Sequence, residues 1–64
     1  MSAPRSAATL DRIKMAREMG AQARADGVPR GLINNPEARA FIAKIESRKA
    51  RVEAMDEYNR GYGA

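Results

Sequence analysis

The sequence predicts an all-α protein, a two-helix αα-hairpin with a long ordered connection, and three observations predict it. Apolar residues recur at helical spacing in two segments, no run alternates with the period of a strand, and the prolines and most glycines lie between those segments or near the chain ends. With 64 residues the chain makes one domain at most and buries a smaller share of its surface than a larger domain would.

Residues 1–8 are small, polar and interrupted by Pro4, which predicts a frayed arm. Helix one is expected over residues 9–26. Thr9, or Ser6 one turn earlier, is its candidate N-cap, Asp11 in the first turn suits the helix dipole, and Gly27 ends it. At 100° per residue Ile13, Ala16, Met19, Gly20 and Ala23 share one side, with Met15 at its margin, while Lys14, Arg17 and Arg24 lie opposite. Such small residues let a neighbouring backbone come close, and this is the expected role of Gly20.

The connection, residues 27–35, reads G-V-P-R-G-L-I-N-N, a helix stop and turn followed by a new start. Asn35 is the predicted N-cap of helix two, with Pro36 at the first helical position and Glu37 behind it. Since no Gly or Pro follows until Gly61, helix two is expected to run over residues 36–60, about 37 Å at 1.5 Å per residue, with a short tail at 61–64. Ala38, Phe41, Ile45, Val52 and Met55 would line one narrow face, with Ile42 at its edge. Paired antiparallel, the two stripes would be closed at one end by Val28, Leu32 and Ile33, making part of the connection core. The second helix outruns its partner, leaving Val52, Met55 and Tyr58 uncovered. The fold is therefore expected to be completed by self-association, as a homodimer, or by a larger partner.

Composition removes several function classes. The chain holds neither Cys nor His, which takes away disulfides and the usual zinc ligand sets. The serines, Ser2, Ser6 and Ser47, have no base near them in the pattern a nucleophile needs. Glu53, Asp56 and Glu57 could cluster around a cation, but a solvated acidic helix end is the simpler reading. "GVPRG" lacks the spacing and the Lys of a phosphate loop. The expectation is a non-enzymatic protein without cofactor or metal. No apolar stretch has the length of a signal peptide or membrane span, so no membrane role and a cytoplasmic location are expected.

The formal net charge is +4, which favours acidic partners. Arg39, Lys44, Arg48, Lys49 and Arg51 against Glu46 make the first half of helix two basic, while Glu53, Asp56 and Glu57 make its end acidic. That order opposes the helix dipole.

"REMGAQARADG" and the loop after it resemble the ribosome modulation factor family of small helical proteins. Gly20, Gln22, Ala23 and Gly27 fall on the family's first-helix pattern, and "PRGLINNPE" is similar to its basic loop, with Asn35 and Pro36 at the family's Asn-Pro step; the likeness covers roughly residues 17–37. The family's aromatics after the first Gly and after the Pro are replaced here by Ala21 and Glu37, and of its second-helix tryptophans only Phe41 is a counterpart. The resemblance implies a ribosome-binding modulator with rRNA contacts through Arg17, Arg24, Arg30 and Arg39, and Lys44 extends that basic set. The alternative is a small protein-binding inhibitor or adaptor, of the kind phages and mobile elements encode, using Phe41, Ile45, Val52, Met55 and Tyr58 against one larger protein target. A helix-turn-helix DNA reader is disfavoured, because the connection is too long and a third helix is not expected.

Overall fold

The computed structural model describes residues 7–63, and every regular element among them is helical. Helix α1 spans Ala7–Ala25, α2 spans Pro36–Ala43 and α3 spans Arg48–Tyr62, with a 3₁₀ turn at Leu32–Asn34 between α1 and α2. Because α1 already begins at Ala7, Thr9 sits inside the helix rather than capping it, and Asp11 falls beyond the first turn. Ala7 and Ala8 favour the earlier start, alanine being the best helix former. Ser6 and most of the expected arm lie outside the described residues.

Helix α1 stops as Gly27 turns into the left-handed region at φ 78°. The Val28 N–H then donates to the Ala23 carbonyl at 2.9 Å and the Gly27 N–H to the Arg24 carbonyl at 3.1 Å, the paired bonds of a Schellman ending. Asn35 opens α2 by accepting from the Ala38 N–H at 3.1 Å, with Pro36 at the first position. Its amide also donates to the Tyr58 hydroxyl at 3.0 Å. One side chain thus starts a helix and satisfies the polar tip of a fully buried ring.

The single long helix expected over residues 36–60 is broken. Lys44 ends α2, and the chain turns through Ile45 and Glu46 before Ser47 caps α3 by accepting from the Ala50 N–H at 3.3 Å. Two causes combine. Ile45 is buried in the bend, so leaving the spiral there puts a large apolar side chain into the core. The carbonyls released there are also satisfied: Arg51 Nη1 donates to the carbonyls of Ile45 at 2.6 Å and Glu46 at 3.0 Å. Resetting the helical phase at this joint replaces the expected stripe, so that Ala50, Ala54 and Tyr58 face inward while Val52 and Met55 are 49% and 38% exposed.

The core holds Ile13, Ala16, Ala23, Ala38, Ile42, Ile45, Ala50, Ala54 and Tyr58. Five of these nine are alanines, so the helices gain contact by approaching closely rather than by interleaving large side chains. The principal packing is α1 on α3. Gly20 presses on the Tyr58 main-chain carbonyl, and Gly61 on the main chain of Arg17. Main chain meets main chain there, leaving no room for a Cβ on either glycine.

An antiparallel hairpin would carry the end of α3 to the start of α1. Instead the two C-terminal ends meet: the Tyr62 hydroxyl donates to the Val28 carbonyl, and Arg24 Nη1 donates to the Tyr62 carbonyl at 2.9 Å. The third helix makes this possible, because α2 and the joint return the chain before α3 begins.

Candidate functional site

The cations expected to form one basic set are divided between two places. Arg24 and Arg30 converge on Tyr62, their guanidinium carbons 5.9 and 4.9 Å from the ring centre. Each also donates to a main-chain carbonyl at the end of α3, Arg24 to that of Tyr62 and Arg30 to that of Gly63. Cations placed at a helix C-terminus and over a ring face are held there by dipole and quadrupole alike. Both guanidinium groups are thus engaged with the end of α3, although the residues are exposed. Arg17 keeps an exposed side chain on α1 while its main chain packs on Gly61.

The other place is the joint between α2 and α3. Residues 39–51 carry five of the chain's twelve cations, Arg39, Lys44, Arg48, Lys49 and Arg51, and only one of its eight anions, Glu46; seven of each remain elsewhere and cancel. The whole formal excess of positive charge therefore belongs to this segment. All five are exposed except the half-buried Arg51, whose donors staple the bend. Arg48, Lys49 and Arg51 sit in the first turn of α3, where cations oppose the helix dipole. The arrangement gains from an anion and costs stability without one.

Beside the joint lies a cleft of about 320 Å³ lined by Leu32, Ile33, Ile42, Ala43 and Met55, with Arg39 and Arg51 also on its wall. Ile33, on the 3₁₀ turn, is 79% exposed. The Arg39 main-chain N–H donates to the Asn35 carbonyl, but its side chain makes no hydrogen bond or ion pair among the described residues, so its guanidinium is available to a ligand.

Of the apolar residues expected at an interface, Ile45 and Tyr58 are core instead, for the reasons of phase and capping given above, and Phe41 is half-buried against that core. Val52 and Met55 remain outside, Met55 on the cleft wall. Leu32 does pack against the core, whereas Ile33 does not close it but forms an outer wall. Sequence reasoning missed the cleft because it exists only once the helix breaks, and the available signal was Ser47, a good N-cap residue placed just before a run of helix formers. At the acidic end, Glu57 pairs with Arg60 at 3.4 Å, and no group of side chains suited to a metal ion occurs among the described residues. No described helix is long and apolar enough to cross a membrane.

Comparison with protein-family models, with curated proteins and with solved structures finds no match.

Proposed function

We propose that this chain is a non-enzymatic binding protein that associates with RNA, in the manner of a ribosome-associated modulator, through the basic joint between α2 and α3. The observation that carries this reading is the confinement of the entire net positive charge to residues 39–51. A polyanion relieves the repulsion among these cations and their conflict with the α3 dipole together. The sequence likeness to ribosome modulation factors supports it in a different way. Gly20 at the helix contact, Gly27 at the end of α1 and Asn35 at the start of α2 are residues on which the scaffold depends. The RNA-facing set is redrawn as Arg39, Lys44, Arg48 and Lys49, since Arg24 and Arg30 are engaged with the end of α3.

Titrating a fluorescent single-stranded RNA at several salt concentrations tests this. Three or four phosphate contacts give a slope of about −2 to −3 in log K against log salt, at roughly −0.7 per contact on a single strand. Lys44→Gln or Arg48→Gln should each flatten that slope by about one step and weaken binding alike across sequences. Binding that ignores salt rejects the proposal. The exposed apolar side chains of Ile33, Val52 and Met55 support a second reading, a protein-binding adaptor. A single protein partner retained from a lysate through nuclease treatment and high salt, with no affinity for RNA, would establish that reading instead.

A further inference from the structure

We propose that the cleft walled by Ile33, Ile42 and Met55 holds one unpaired nucleobase of the same RNA whose phosphates meet the basic joint. This rests on the RNA reading and gives it a ligand class, single-stranded rather than duplex RNA. The cleft and the charge excess are one place: Arg39 and Arg51 belong to both the cleft wall and the cationic segment. A group entering the cleft must therefore be flat or apolar and must carry negative charge on its connecting chain. A nucleotide in a single strand answers that description, because its base can be turned out of the stack while its phosphate stays at the rim.

The chemistry of the walls agrees. Met55 is flexible and polarizable, and a thioether is a favourable neighbour for an aromatic ring. Arginine planes stack on bases as readily as they pair with phosphates, and the Arg39 side chain has no hydrogen-bond or ion-pair partner among the described residues. Lacking hydrogen-bonding side chains beyond the two arginines, the cleft would accept bases with little preference, as stacking sites do. Size decides against a protein segment as the occupant. A stable protein interface buries about 800 Å² on each partner, whereas this cleft is lined by only seven residues. For RNA the phosphates supply most of the affinity, and one seated base is enough to add to it.

The experiment compares two polyanions, oligoadenylate and inorganic polyphosphate of similar charge, on the full chain and on Met55→Ala and Ile33→Ser. Both substituted side chains are exposed, and retained helicity by circular dichroism confirms the fold. The expected result is about a ten-fold loss of oligoadenylate affinity, on the scale of one stacked base, with polyphosphate binding unchanged. Equal loss for both ligands, or no loss for either, overturns the base subsite while leaving the RNA reading intact. Failure of the unsubstituted chain to bind oligoadenylate removes that reading and the subsite with it. Binding of an acidic amphipathic peptide that is lost in the same two variants would give the cleft to a protein instead. Should Met55→Ala unfold, Ile33→Ser alone decides, since that side chain supports nothing in the core.

Discussion

The contact between α1 and α3 and the joint between α2 and α3 solve opposite problems. At the first, Gly20 and Gly61 bring two main chains together, the buried alanines add contact without bulk, and the end of the chain is tied down by Tyr62, Arg24 and Arg30. At the second, like charges are crowded onto a bend held by the buried Ile45, by Arg51 and by the Ser47 cap. The closest packing and the excess of positive charge thus lie at opposite ends of α3. In a chain this small, a charge excess placed on the close helix contact would have opposed the packing that keeps it folded.

Substitutions at the helix contact should break this contrast most sharply. Gly61→Ala or Gly20→Ala places a methyl group against main-chain atoms that cannot swing aside, and a loss of about 3 kcal/mol is expected, the upper end of ordinary overpacking. Urea unfolding followed by circular dichroism measures it. Gly27→Ala is the control: nothing lies within 4 Å of its Cβ position, so only the left-handed φ is penalised, at about 1 kcal/mol. Equal losses at all three glycines would mean that the close approach of α1 and α3 does not govern stability.

Asn35→Ala comes next. It removes the α2 cap and the partner of the buried Tyr58 hydroxyl in one step, for about 2 kcal/mol. Tyr58→Phe in the Asn35→Ala background should recover part of that loss, because the orphaned hydroxyl is then gone. Absence of recovery in the urea midpoint would show that the cap alone matters.

The helices and their caps were legible where a local rule suffices. Gly27 needs a positive φ, and Asn35 followed by Pro36 begins a helix by chemistry confined to four residues. The small stripe of α1 was equally readable, since Ile13, Ala16, Gly20 and Ala23 keep one uninterrupted phase. The second half was misread because helical phase is cumulative. Once Lys44 to Ser47 leave the spiral, every later residue is rotated, which sends Tyr58 inward and Val52 outward. No Gly or Pro marks that break, Ser47 is its one local signal, and the stabilising group, Arg51, acts from six residues away on a carbonyl. The candidate site inherits the same fate: its charges could be counted in the sequence, but its cleft could not be seen before the bend that shapes it.

The joint itself supplies the smaller effects. Ser47→Ala should cost about 1 kcal/mol through the lost cap, with the change confined to the first turn of α3 as read by amide hydrogen exchange.

Neutralising the joint sharpens the comparison furthest while altering stability least. Arg39 and Lys44 are exposed and make no hydrogen bond or ion pair with a side chain among the described residues, so Arg39→Gln with Lys44→Gln should shift the unfolding free energy by less than about 0.5 kcal/mol. The sign is informative, because removing two cations from a crowded patch relieves repulsion, and a slight gain is expected at low salt that fades as salt screens the charges. RNA affinity should fall in the same variant, opposite in direction to stability. A variant that lost stability and affinity together would place these cations among the groups that hold the fold, and the division of labour between the two regions would be refuted.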